Sequence, residues 1–153
     1  MKTIILLVVL AAACSPEQTG VVLYFSDDQA TALVGETRAI GADDVYYNSI
    51  QALIDGPEHE SLAATMPPAT RLLGVTVEDA VATVNLSRAF VTNHWGGSSG
   101  EMLTVYSIVN TLGALDGIDA VQILVEGETI ETLAGHLMLD APLQPSRALI
   151  QQP

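Results

Sequence analysis

One cysteine, one lysine and one tryptophan occur in 153 residues. A single cysteine excludes an intramolecular disulfide and a zinc site built from several thiolates. With Lys2 the only lysine, the chain after it depends on Arg38, Arg71, Arg88 and Arg147 for positive charge, and the net charge is -13. Such a surface repels nucleic acid and anionic lipid headgroups, so functions that need a basic patch are set aside and no nucleic-acid partner is expected. The "GGSSG" stretch lacks the G-x-x-x-x-G-K pattern of a phosphate loop; it has G-x-S-x-G spacing over Gly96–Gly100 but follows no clear strand end, so it is not read as a nucleophile elbow. The longest apolar run is ~10 residues against the ~20 of a membrane-spanning helix. What is present is a chain 49% apolar and 15% charged, enough for one domain with a real core.

The N-terminus reads "MKTIILLVVLAAAC". Lys2 is a one-charge leader, Ile4 to Leu10 a short apolar stretch, and Ala11-Ala12-Ala13 a small-residue cleavage zone, so residues 1–13 are expected to be a signal peptide. Small residues directly before Cys14 resemble the lipobox of bacterial lipoproteins, in which the cysteine becomes the first mature residue and carries lipid. Leu is usual three residues before that cysteine, whereas Ala11 stands here and Leu10 is one further back. The alternative is an ordinary secretory signal that leaves a free thiol. Stable membrane retention takes more than one acyl chain, which lipoprotein modification supplies. A catalytic thiol is disfavoured, because nothing around Cys14 would depress its pKa. Residues 14–20 read as the lipidated N-terminus and a polar tether, which places the protein on the extracytoplasmic face of the cell membrane.

Strands are expected at 21–25, 32–40, 71–77, 81–87 and 120–128. Leu73, Val75 and Val77 should share one face of the third, and Ala82, Val84 and Leu86 one face of the fourth, the two forming a hairpin around Asp79-Ala80. Residues 43–57 read as a helix capped by Asp43 or Asp44, with Tyr46, Ile50, Leu53 and Ile54 on its buried stripe and Gly56-Pro57 as its stop. A Gly/Ser loop at 93–100 leads into a second, more buried helix read from "SSGEMLTVYSIVNTLGAL". Ser98 and Glu101 have capping-box spacing at its start. The tail beyond Ser146 is expected to fray. The order of elements predicts an α+β fold: a small two-layer α/β sandwich, with two helices on one face of a mixed or mainly antiparallel sheet.

Chemistry-bearing residues are sparse. His59, His94 and His136 lack the spacing of metal ligands, and read as surface or locally hydrogen-bonded side chains. The acidic pairs Asp27-Asp28, Asp43-Asp44 and Glu78-Asp79 lack the calcium-loop pattern, and read as a strand end, a helix cap and a hairpin turn. No metal site and no cofactor are expected. Trp95, in a glycine-rich loop, is either an exposed contact for a glycan or protein or a side chain folded back over the core; Tyr46 and Tyr47 are further candidate contacts.

The stretches "YFSDDQATALVGETRAI", "ALIDGP", "MPPATRLLGVTVEDAVATVNLSRAF", "GGSSGEMLTVYSIVNTL" and "VQILVEGETIETLAGHL" together resemble the GerMN domain of sporulation and spore-germination proteins, across residues 21–143. Residues 144–153 then form a C-terminal tail. This chain departs from the family at Asp79-Ala80, where the family favours Asp-Gly, at Ala69 before Thr70, where Gly is frequent, and at Met138, where Asp is frequent. The resemblance implies a non-enzymatic, envelope-located module similar to ring-building domains, with no catalytic residue to carry over. The motifs, the signal and the missing chemistry favour a lipid-anchored module that binds an envelope protein or assembles with itself; the alternative is a binding module for cell-wall glycan or a small molecule, and a wall hydrolase, which needs a cleft with two carboxylates or a metal, is disfavoured.

Overall fold

A computed structural model describes residues 17–151. The expected signal peptide, Cys14 and the start of the tether lie outside the described residues. The fold is α+β, and its strands divide between two sheets.

In the first sheet, β1 (Gln18–Asp27) and β2 (Leu33–Gly41) form a long antiparallel hairpin, paired from Gln18↔Gly41 to Ser26↔Leu33. The strand therefore begins three residues before Val21, inside the stretch read as tether. After β2 comes α1 (Val45–Asp55). Asp44 is its N-cap and accepts from the Tyr47 backbone N–H at 3.2 Å, which satisfies one of the donors left free at a helix start. Ile50 and Leu53 are fully buried, and Tyr46 and Ile54 pack against the core from the margin. A two-residue strand, β3 (Leu62–Ala63), then pairs with the end of β1.

The second sheet has the order β4-β5-β6-β7. β4 (Leu72–Glu78) and β5 (Val81–Leu86) are the expected hairpin. β5 runs parallel to β6 (Ala120–Val125), and a parallel pair requires a crossover. The crossover consists of α2 (Ala89–Thr92), which buries Phe90, and the long α3 (Ser98–Gly113). β7 (Glu128–Thr129) follows a tight turn at Glu126-Gly127, so the expected strand 120–128 is a strand, a turn and the start of its partner.

The two long helices, α1 and α3, touch each other, and each touches both sheets: α1 packs on β1, β2 and β4, and α3 on β1 and β6. This position explains why α3 is buried on nearly every side and carries Ser107, Asn110 and Thr111 inward along with its aliphatic residues. Those polar groups have partners. Thr111 Oγ1 accepts from the Tyr24 N–H at 3.0 Å, which satisfies a donor on the side of β1 that β3 is too short to cover. Val21, Leu23 and Phe25 of β1, Ala82, Val84 and Leu86 of β5, and Val121, Ile123 and Val125 of β6 complete one core, as their alternation predicts.

Three local expectations are corrected. On β4 the register shifts between Leu72 and Gly74, so Leu72 turns inward and Leu73 is left exposed; Val75 and Val77 lie opposite the buried Val84 and Ala82, but Val75 is only half-buried and Val77 is exposed. A bulge adds one residue, and one residue inverts the face of a strand. The capping box does not form: Gly97 is the N-cap of α3, and the Glu101 side chain goes elsewhere. The tail does not fray before residue 151. Asn110 of α3 pairs with the Ser146 backbone through both its amide groups (3.0 and 2.8 Å), Pro145 lies against Gly113, and Ile150 bridges to Leu33.

Candidate functional site

Trp95 stands at the end of the molecule where β1 finishes and α3 begins. It is 54% exposed, which decides between the two readings of it: it does not fold over the core. It is also held in place. Its ring stacks on His94 with centroids 5.0 Å apart, and it lies so close to Gly100 that an added Cβ there would be 2.7 Å from the indole Nε1.

His94 is the base of this mount. The Gly96 N–H donates to His94 Nδ1 at 3.0 Å, which assigns the proton to Nε2. Nε2 is 3.3 Å from Thr104 Oγ1, and that hydroxyl donates to the Thr65 carbonyl at 2.8 Å. The chain of bonds needs a neutral imidazole. Burial holds the His94 pKa below its usual value, against the opposing pull of the Gly100 backbone and the Glu101 charge.

Beside Trp95 is a hollow of about 280 Å³ whose lining includes Ala63, Ala64, Gly100 and Leu103. It is mostly apolar. The Ser26 hydroxyl in its wall donates to the Asp27 carbonyl, and the Thr65 hydroxyl is buried without a hydrogen-bond partner among the described residues. A second hollow of about 410 Å³, lined by Ser98, Ser99 and Met102, adjoins it across Ala30 and Leu103. Tyr46 and Tyr47 are not part of this region. The Tyr46 hydroxyl donates to the Asp116 carbonyl at 3.1 Å and lines a separate depression beside Thr19 and Gly20, near the start of β1. Tyr47 is half-buried against the core. The structure thus separates Trp95 from the two tyrosines by the length of β1.

Two carboxylates that the sequence did not mark for these roles, Glu101 and Glu36, each gather several backbone donors. Glu101 is fully buried, and accepts from the backbone N–H groups of Leu133, Ala134 and His136 at 3.0, 2.9 and 2.8 Å. Burial alone would raise its pKa; these donors, with the Leu137 N–H, outweigh burial and hold the carboxyl below its usual range. Glu36 accepts from the Glu58 and His59 N–H groups and is paired with Arg38. Burial pushes its pKa up, and the His59 N–H, Arg38 and the Glu58 N–H carry it below the usual range. Arg38 also donates to the Ala52 and Gly56 carbonyls at the C-terminal end of α1, stacks over Phe25 at 5.6 Å, and reaches Glu58 at ion-pair distance (3.5 Å) through an Nε that makes no hydrogen bond among the described residues. Only the spacing of Glu101 gave a signal, and it pointed to a cap.

The acidic pairs take structural roles. Asp27 closes the loop after β1 by accepting from the Thr31 N–H at 2.7 Å, Asp44 caps α1, and Asp79 sits in the β4–β5 turn. Among the described residues no group of three or more His, Cys, Asp or Glu is arranged to hold a metal ion.

Comparison with known proteins places the fold. The family described as "Sporulation and spore germination" (Germane) matches residues 22–131. A crystal structure of a Clostridium perfringens protein provisionally named a lipoprotein is 28% identical, with a TM-score of 0.61 over 83% of this chain and 87% of that one. The first GerMN domain of the Bacillus subtilis sporulation protein GerM matches with a TM-score of 0.69 at 18% identity, over 85% of this chain and 98% of that domain. The tandem GerMN domains of the same protein match with a TM-score of 0.70 at 17% identity, and this chain spans 46% of that pair. No curated protein matches.

Proposed function

The chain belongs to the sporulation and spore germination (GerMN) family, and from that premise we propose that it is a lipid-anchored, non-enzymatic module of the cell envelope that binds a protein partner or assembles with itself. The observation that carries this reading is the unbroken family match over residues 22–131, from β1 to just past β7. The similarity to a Clostridium perfringens protein provisionally named a lipoprotein supports the anchor. So does the sequence around Cys14, with small residues before the thiol and a polar segment after it. The exposed Trp95 beside a hollow supports a second reading, a binding module for cell-wall glycan or a small molecule, with the apolar lining favouring an apolar ligand over a sugar.

The anchor is tested by expressing the chain in a lipoprotein-processing bacterium fed an alkyne fatty acid. The native chain is expected to carry the label and to sediment with membranes, and Cys14→Ser to lose both properties. Unchanged labelling and sedimentation of Cys14→Ser would refute the anchor. Cross-linking in intact envelopes tests the binding role: neither a hetero-complex nor a homo-oligomer would remove it.

A further inference from the structure

We infer that the hollow beside Trp95 is a docking site for a loop or terminal segment of a protein partner, one that presents an apolar side chain flanked by Lys or Arg. The inference deepens the function proposed above, and takes its orientation from the anchor at Cys14.

Orientation follows from β1. The strand starts at Gln18, four residues after Cys14, and ends at Asp27, beside the Trp95 hollow. An extended strand rises roughly 3.3 Å per residue, so the two ends of β1 are about 30 Å apart. A domain tethered at Cys14 therefore carries Trp95 at its membrane-distal end, where a neighbouring protein can reach it.

The chemistry of the occupant follows from the lining. Trp95 combines large exposure with a rigid seat on His94 and Gly100, so little side-chain freedom is left to lose on binding. Rigid aromatic anchors beside small pockets are the usual centres of binding energy in protein interfaces. A sugar needs converging polar groups, and this compartment offers few: the Ser26 hydroxyl is spent on Asp27, and the Thr65 oxygen is buried out of reach. An apolar side chain matches the remaining walls of Ala63, Ala64, Gly100 and Leu103.

Charge decides the flanks of that side chain and argues against a second copy. Asp27 and Asp28 line the neighbouring hollow past Thr31, no Lys or Arg among the described residues lines either compartment beside Trp95, and the chain as a whole carries -13. Two copies meeting at this end would repel, whereas a Lys- or Arg-flanked segment is drawn in.

The test uses the full chain in detergent micelles. Trp95 is the only tryptophan, so its fluorescence reports on the site alone. A random peptide library selected on the protein should yield segments with one large apolar residue between Lys or Arg. Their synthetic versions should blue-shift Trp95 emission saturably and bind less tightly at high salt. Ala64→Lys, which puts a cation in the hollow at an exposed position, should weaken binding roughly ten-fold or more, as should Trp95→Ala read by calorimetry. Three results would each overturn the inference: selected peptides of other composition, or none; a saturable Trp95 shift with an N-acetylglucosamine oligomer in place of peptide; or a shift on raising the concentration of the protein alone. All of these readings are independent of Cys14, so failure of the anchor and failure of the docking site are told apart.

Discussion

Glu101 and Glu36 do the same work in two different surroundings. Each carboxylate catches backbone N–H groups of a loop distant in sequence: Glu101 holds 133–136, and Glu36 holds 58–59 at the exit of α1. Glu36 shares its charge with Arg38 and keeps 12% of its side chain exposed. Glu101 is fully buried, and no Lys or Arg pairs with it among the described residues. An ion without a counter-ion is costly to bury unless hydrogen bonds replace its hydration. The 133–137 backbone supplies that replacement, so loop and carboxylate are each unsatisfied without the other. At Glu36 the burden is divided, and no single partner is indispensable.

The sharpest way to break this comparison is to remove each acid in turn. Glu101→Ala strands several buried N–H groups and leaves a void in the core, and should cost about 3–5 kcal/mol. Glu36→Ala should cost about 1–2 kcal/mol, because Arg38 keeps its bonds to the α1 carbonyls and the freed N–H groups lie near water. Urea denaturation of both variants, with hydrogen exchange across 131–139, measures the difference. Equal losses would mean that the counter-ion makes no difference.

Acid should loosen the molecule in two stages. His94 is held below its usual pKa, so the unfolded chain takes up a proton that the folded one refuses; the stability this contributes is complete above the ordinary value of 6.5 and is lost as pH falls below it. Glu101 and Glu36 are also held low, and their contribution disappears only as pH falls from 4.5 downward. Stability followed from pH 8 to pH 3 should decline first in the histidine range and then in the carboxylate range. In His94→Gln the first decline should vanish. If it persists, the neutral imidazole is not what holds the Trp95 loop.

A third pin is uncharged. Asn110 pairs with the Ser146 backbone through donor and acceptor, and Gly113 makes room for Pro145 beside it. Asn110→Ala should cost about 1–2 kcal/mol, less than Glu101→Ala, because two ordinary hydrogen bonds are lost rather than an ion's whole shell. Gly113→Ala would place its Cβ 2.1 Å from Pro145 and should free the tail, raising hydrogen exchange at Gln151, whose N–H donates to Leu33. Unchanged exchange there would show that the tail is held elsewhere.

These pins mark where legibility in the sequence stopped. Period-two alternation in 81–86 and 120–125 gave the core faces correctly, and the apolar stripe with Asp44 before it gave α1, because each signal lies within one element. The bulge at Leu72–Gly74 shifts phase with no residue pattern to announce it. Glu101 looked like a cap because its true partners are backbone groups 32 and more residues away, and backbone donors carry no side-chain signature. The tail read as loose for the same reason: Asn110, Gly113 and Leu33 are unremarkable until folding brings them to 145–151. At the candidate site Trp95 was legible as a residue, but its rigid seat and the hollow beside it were not, since small residues from three separate segments make them.

The smallest effects concern two turns that solve one problem with different residues. Asp79-Ala80 and Glu126-Gly127 both take left-handed backbone, with φ of 50° and 62° in the first and 52° and 82° in the second. A two-residue hairpin loop of this hand follows the twist of its strands and favours glycine second. Ala80 is kept there by its surroundings: its carbonyl accepts from the Asp119 and Ala120 N–H groups, which ties the turn to the start of β6. A Gly at this position, as the resemblance leads one to expect, would take the same conformation with less strain. The same holds at Ala69, with φ of 62°, in the turn that Thr70 closes on Pro67. Ala80→Gly should stabilise the protein by about 1 kcal/mol, partly offset by the greater freedom of glycine in the unfolded chain. Gly127→Ala should destabilise by a similar amount, because nothing lies within 4 Å of the added Cβ and only the backbone conformation opposes it. Thermal denaturation of the two single variants and the double tests this: opposite shifts that cancel in the double variant would make the turns equivalent. A loss in Ala80→Gly would mean that the alanine methyl contributes packing that outweighs its strain.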